Sequence, residues 1–208
     1  MTGANVVAVT EANNEEPGRW QTFGEREIYA SPWVWLGQVD VGLPDGGRYW
    51  HHVVRLPPVV MMVLVDEANR ALLLWRHRFV QDRWGWELPG GLVDEGEEPV
   101  QAAIRELAEE TGYRALAVEP LIAFQPRSGT VESQHFIFVG HRPERIGDPT
   151  EVNESTRLEW VPLESVPELI DSGTMWDAGT QLALLRQLMS SRPPPKRRRV
   201  RVVSGPPG

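Results

Sequence analysis
The chain reads as an α/β protein with a small antiparallel β subdomain ahead of its main domain, and three observations lead there. Short runs rich in β-branched and aromatic residues recur from Trp20 to Val161. The stretch from Pro99 to Thr111 carries its apolar residues at helical spacing, and a second helical pattern closes the chain between Gln181 and Met189.

Taken in order, residues 1–18 are polar and rich in Asn, Glu, Pro and Gly near their end, which predicts disorder. Residues 19–57 form the β subdomain. Arg26–Ala30, Trp33–Val41 and Tyr49–Arg55 are its strands, and Pro44-Asp45-Gly46-Gly47 predicts a hairpin between the last two. Residues 58–190 form the main domain. Val59–Val65 and Ala71–Trp75 are apolar enough for central strands, joined by the turn formers of Asp66 to Arg70. Residues 81–86 are expected as a loop. Glu98-Pro99 starts a helix and Gly112 stops it, because proline suits the first helical position and glycine the left-handed cap. Ala115–Gln125 and Gln134–His141 are the next strands, separated by residues 126–130, and Arg142 to Glu154 reads as a polar loop. Leu158–Val161 is a short strand, Ser165 is expected to cap a short helix ending near Gly173, and Leu182, Leu185 and Met189 line the last helix. Residues 191–208 form a Pro- and Arg-rich tail, expected to be disordered.

Composition bounds the function. The chain has 208 residues, 41% of them apolar, and no run of about 18 apolar residues, so no membrane-spanning helix is expected. Residues 1–18 lack the pattern of a secretory signal, and the absence of cysteine excludes disulfides, thiolate metal sites and a cysteine nucleophile. A cytoplasmic location is the expectation. Six of the 21 basic residues lie from Arg192 onward, where no acidic residue occurs, so the preceding body is strongly acidic. An acidic body is a poor surface for nucleic acid, leaving the basic tail as a weak contact at most.

The helix from Pro99 to Thr111 gathers Val100, Ala103, Ile104, Leu107 and Ala108 on one side, and Glu106, Glu109 and Glu110 on another, with Arg105 at the border. Like charges four residues apart repel, and all three glutamates lie towards the negative end of the helix dipole. A divalent cation reverses the sign of both effects. Hard oxygen ligands without Cys or His suit Mg²⁺ or Mn²⁺.

The stretch beginning Gly91, with Glu97 after five residues and Arg105-Glu106-Leu107-Ala108-Glu109-Glu110-Thr111-Gly112-Tyr113 after seven more, resembles the signature of the Nudix hydrolase family. The last position departs from it, carrying Tyr113 where the family usually has an aliphatic residue. The resemblance implies an α/β/α sandwich around a mixed sheet and hydrolysis of a nucleoside diphosphate linked to another group. It implies Glu106, Glu109, Glu110 and the Gly90 carbonyl as metal ligands, with Glu97 pairing Arg105 to hold the preceding loop against the helix. Removing Glu97 is therefore expected to impair turnover less than removing Glu110. Glu154, or Glu151 on the same loop, is the candidate general base.

Within the family, Ser31-Pro32-Trp33-Val34 and Trp86-Glu87-Leu88-Pro89-Gly90-Gly91 are similar to the ADP-ribose and ADP-sugar pyrophosphatase branch. That implies a nucleotide-sugar substrate, AMP and a sugar phosphate as products, and a homodimer built through the N-terminal hairpin. Arg55, Arg78 and Arg127 are candidate phosphate or ribose contacts, with Arg55 placed to reach a partner's site. Trp86, with Trp84, is a candidate to stack on a base or sugar, and Glu87 joins this substrate set. The other readings are cleavage of NADH, of another nucleotide sugar or of capped RNA, and a sensing module that binds nucleotides without cleaving them. The three intact glutamates favour the enzyme.

Overall fold
The computed structural model describes residues 18–151 and 157–191. It divides into two compact units, residues up to Pro57 together with Gln125–Gln134, and Pro58–Phe124 together with His135 onward. Residues 125–134, expected inside the main domain, thus cluster with the first unit. The N-terminal segment and the basic tail expected to be disordered lie outside the described residues, Gly18 and Ser191 apart.

The first unit is a four-stranded sheet. Strands β1 (Gln21–Ser31), β2 (Val34–Gly42) and β3 (Arg48–Arg55) form an antiparallel meander. The expected hairpin turn is present: Asp45 Oδ1 accepts the Gly47 N–H at 2.9 Å, Leu43 and Gly47 close the loop at 2.7 Å, and Gly46 takes a φ of 89°. That backbone region is open to glycine at little steric cost. The two-residue β9 (Val131–Glu132) pairs in parallel with β3.

The second unit is built on a seven-stranded sheet. Strands β4 (Val59–Val65), β5 (Arg70–Arg78), β6 (Arg83–Glu87), β7 (Gly90–Leu92), β8 (Tyr113–Phe124), β10 (His135–Arg145) and β11 (Arg157–Pro162) contribute, in the order β11-β5-β4-β10-β8. Only β4 and β10 run parallel, so the sheet is mixed. Side chains alternate across it. Val60, Met62, Leu64, Leu72 and Phe138 pack beneath helix α1 (Pro99–Thr111), against Ala102, Ala103 and Leu107. Val63, Val65, Leu73, Ile137 and Val139 pack on the opposite face with Ala183 and Leu184 of helix α3 (Ala178–Ser191), the 3₁₀ turn Leu163–Ser165 and helix α2 (Val166–Asp171). The result is the α/β/α sandwich.

One irregularity creates the room for a site. Strands β4 and β5 pair only at Val65–Ala71, and then splay. The segment from β6 to β7 enters the gap: β6 zips to β5 through Trp75–Trp86 and His77–Trp84, and β7 zips to β4 through Met61–Gly90. The expected loop at residues 81–86 is therefore largely strand, because cross-strand aromatic pairs and a turn at Asp82, with φ 48°, outweigh its polar character. The expected polar loop after His141 likewise begins as strand: β10 runs to Arg145 beside β8. Pro143 is tolerated because β4 ends opposite His141, leaving that side without a ladder. Ser165 makes no side-chain cap bond. It sits in the 3₁₀ turn with helical backbone angles, and Pro167 in the first turn leaves one fewer N–H to cap. No described helix is long and apolar enough to cross a membrane.

Candidate metal and catalytic site
Helix α1 starts at Pro99 after the extended Glu98 and ends on Gly112, whose φ of 70° is left-handed. Its glutamates do not form a solvated face: Glu106 and Glu110 are buried, while Glu109 stays partly exposed. What they face is the glycine pair entering from β7. The Gly90 N–H donates to Glu110 Oε2 at 2.7 Å. A Cβ on Gly90 would come 2.1 Å from the Val60 carbonyl oxygen, and one on Gly91 would strike the Glu106 carboxylate. The missing side chains let Gly90 lie this close to β4 and Gly91 this close to the helix.

The end of α1 also anchors the loop after β10. The Gly112 carbonyl accepts the Ile146 N–H at 2.8 Å, and the Glu109 carbonyl accepts those of Thr150 at 2.8 Å and Glu151 at 3.2 Å. These are the helix-end carbonyls that lack a partner inside the helix. The anchoring brings Glu151 in: carboxylate oxygens of Glu106, Glu110 and Glu151 lie within 4.8 Å of one another. Glu154 lies outside the described residues. Glu109 is not in this trio. Its carboxylate instead accepts from Arg105 at 3.0 Å.

Two arginines compensate the charge. Arg105 donates to both Glu97 oxygens at 3.1 and 2.9 Å, to Glu106 at 2.8 Å and to the Leu92 carbonyl at 3.1 Å, tying the loop before α1 to the helix. Its hydrogen bonds hold the Glu97 carboxyl below the ordinary carboxylate range. Arg76, from β5, is buried and donates to Glu110 Oε1. Burial pushes the Glu110 carboxyl up to about 7, against the opposing pull of Arg76 and the Gly90 N–H. Burial also raises Glu106, with Glu151 and Glu109 adding repulsion and Arg105 opposing it.

Arg76 was not among the residues singled out from sequence, although a signal exists. Leu72, Leu74 and Arg76 share one face of β5, and a charge that continues a core stripe needs a partner. The remaining candidates are placed as follows. Arg78 grips the buried Glu87 with hydrogen bonds of 2.6, 3.0 and 3.1 Å, and Glu110 and Asp177 act on its charge. Glu87 is therefore engaged in holding Arg78. Trp86, expected to stack on a base, is instead a core side chain, 6% exposed, tilted on Trp75 at 5.0 Å with Arg157 over its ring at 4.7 Å. The exposed stacking candidate is Trp84, parallel to Trp75. Arg55 and Arg127 belong to the first unit. There Arg55 is occupied by Glu25 at 2.7 Å, Glu132 at 3.0 Å and the face of Trp35, while Arg127 is exposed.

Three clustered carboxylates with no nitrogen or sulfur donor fit a hard divalent cation. The raised Glu106 and Glu110 fit it too, since burial disfavours the charged form of both carboxyls and an added positive charge favours it.

The sequence profile of the NUDIX domain matches residues 55–181. The chain is 44% identical over 170 residues, 82% of each chain, to a CMP-5'-(N-acetyl-N-hydroxy-3-aminopropyl)phosphonate hydrolase of Streptomyces rubellomurinus. It is 28% identical over 166 residues, 79% of this chain and 90% of the relative, to an ADP-ribose pyrophosphatase of Bacillus subtilis. A solved ADP compounds hydrolase superposes with a TM-score of 0.73, covering 85% of this chain and 96% of that one. At 20% identity this likeness bears on the fold.

Proposed function
The chain belongs to the NUDIX domain family, and from that premise we propose that it hydrolyses a nucleoside 5'-phosphoryl group joined through a phosphoric anhydride to a second phosphorus-bearing moiety, with Mg²⁺ or Mn²⁺ as cofactor. The convergence of Glu106, Glu110 and Glu151 carries the reading. These three carboxylates would hold the cation, with Glu109 and the Gly90 carbonyl as further ligands from the resemblance. A divalent cation bound there supplies positive charge that neutralises diphosphate oxygens and makes water more acidic.

The chain's own groups supply the rest. In this reading Glu151 takes the proton from the attacking water, and Glu154 is the alternative base. Arg78, aimed by Glu87, binds an oxygen of the diphosphate. Arg105 keeps the loop from Leu92 to Glu97 on the helix and is a positioning residue. Water adds to one phosphorus, the bond from that phosphorus to the bridging oxygen breaks, and the bridging oxygen leaves with the other phosphoryl group. The products are a nucleoside monophosphate and the second moiety with its terminal phosphorus free.

ADP-ribose or another ADP-sugar is the substrate class favoured by the sequence pattern around Trp86 to Gly91 and by the B. subtilis relative. A specific observation favours a second: the relative at 44% identity is named for a cytidylyl phosphonate. Both are a nucleoside monophosphate capped by a second acidic phosphorus. The test is a panel of ADP-ribose, other nucleotide sugars, NADH and a CMP-phosphonate with Mg²⁺ or Mn²⁺, comparing native protein with Glu110→Gln. Metal-dependent release of AMP or CMP by the native chain alone is expected. Metal uptake and tight ligand binding without any release overturns the enzyme in favour of a sensor.

The homodimer is proposed through the first unit. Strand β1 is exposed on both faces almost throughout its length, and Trp20, Phe23, Ile28, Tyr29 and Trp33 leave an apolar surface open to water. Light scattering that returns the monomer mass removes this proposal.

A further inference from the structure
Glu110 has both oxygens engaged by the protein itself. Gly90 N–H holds Oε2 and Arg76 holds Oε1. The pair with Arg76 is shut away from solvent, with 3% of the Arg76 side chain and 1% of the Glu110 side chain exposed. Arg105 does the comparable service for Glu106, but from a more exposed position and while also tied to Glu97 and Glu109. Arg76 follows Leu72 and Leu74 on one face of β5, where Leu72 packs beneath α1, so the strand delivers its charge to the Glu110 member of the acidic trio.

A carboxylate oxygen that accepts from a guanidinium gives up part of its negative charge to that partner, and a second cation nearby is repelled. We infer that Arg76 is the resident counter-ion of Glu110 and competes with the divalent cation for this carboxylate, so that it keeps the acidic cluster folded before metal arrives and lowers metal affinity in return. The inference rests on the metal reading of Glu106, Glu110 and Glu151. It makes Arg76 a positioning residue that tunes cofactor uptake.

The test is Mn²⁺ binding to the full chain without nucleotide, read by calorimetry and by the electron paramagnetic signal of free Mn²⁺. Arg76→Met, apolar and of similar length, is expected to tighten Mn²⁺ binding at least roughly tenfold, while Arg76→Lys, which keeps the charge, stays within about threefold of native. Unchanged or weaker binding by a folded Arg76→Met overturns the inference and leaves the metal reading standing. Absence of Mn²⁺ binding by the native chain overturns both. If Arg76→Met does not fold, ¹⁵N-arginine spectra of the native protein decide, with the Arg76 signal assigned by its loss in Arg76→Lys. Its guanidinium protons are expected to be protected from exchange without metal and to lose that protection on saturation with Mg²⁺. Protection that persists at saturation overturns the inference.

Discussion
The backbone of Gly91 lies flush against the carboxylate of Glu106: a Cβ placed on Gly91 would stand 2.5 Å from the Glu106 carboxyl carbon. The contact couples β7 to α1 at the point where the acidic trio forms. Gly91→Ala is therefore expected to push Glu106 out of line and to lower kcat on the order of a hundredfold, with little change in the thermal midpoint. Steady-state kinetics beside a thermal melt checks it, and native kcat sinks it.

Glu110 and Glu97 occupy different ranks. Glu110 belongs to the trio, whereas Glu97 acts through Arg105. Glu110→Gln should lower kcat/KM by at least roughly a thousandfold and Glu97→Gln by about ten- to a hundredfold, the range for a group that orients a ligand from behind. Equal losses would contradict the ranking.

Arg78 and Glu87 should behave as a unit. With Glu87 removed by Glu87→Gln, the guanidinium loses its bidentate hold, Nε on Oε1 and Nη2 on Oε2, so KM is expected to rise several-fold with kcat nearly kept, and Arg78→Ala to raise KM further. A double-mutant cycle measures their coupling, and strict additivity would show that Glu87 does not act through Arg78.

The pH dependence follows from Glu110. Its carboxyl stands at about 7 in the metal-free fold against an ordinary value of 4.5. Between those values the folded state holds a proton that the unfolded chain has released. Stability is thus fully present below the lower value and declines as pH rises towards the higher one. Melts of metal-free protein from pH 4.5 to 8 should show that decline in the native chain and lose it in Glu110→Gln. Metal uptake should expel the same proton, which calorimetry in buffers of different ionisation enthalpy detects near pH 6.

Gly112 joins the helix end to the Glu151 loop. Its φ is 70°, and a Cβ there would meet the Gly147 carbonyl oxygen at 2.4 Å. Gly112→Ala is expected to cost about 1–2 kcal/mol or more in denaturant unfolding and to weaken Mn²⁺ binding by displacing Glu151. Native metal affinity in this variant would separate the loop from the site.

Much of the site was legible along the chain because its parts are local. Glycine, Glu97, Arg105 and the helix glutamates fall within 22 residues, Gly91 to Gly112, and their spacing alone places them on one loop and one helix. The strands β4 and β5 were legible for the same reason, as continuous apolar runs. What was not legible depends on neighbours distant in sequence. The strand character of β6 comes from pairing with β5, the burial of Trp86 from the α3 face of the core, and the place of Glu151 beside Glu106 and Glu110 from carbonyls at the end of α1.

By itself, then, the order of residues determined the α/β class, the acidic helix and the family, since periodicity and motif spacing are written in one dimension. Tertiary structure alone decided that Arg76 sits on Glu110, that Glu151 completes the trio and that Glu87 is bound to Arg78. Buried charges must find partners wherever the fold brings them, and which partner is nearest is a property of packing that no local pattern encodes.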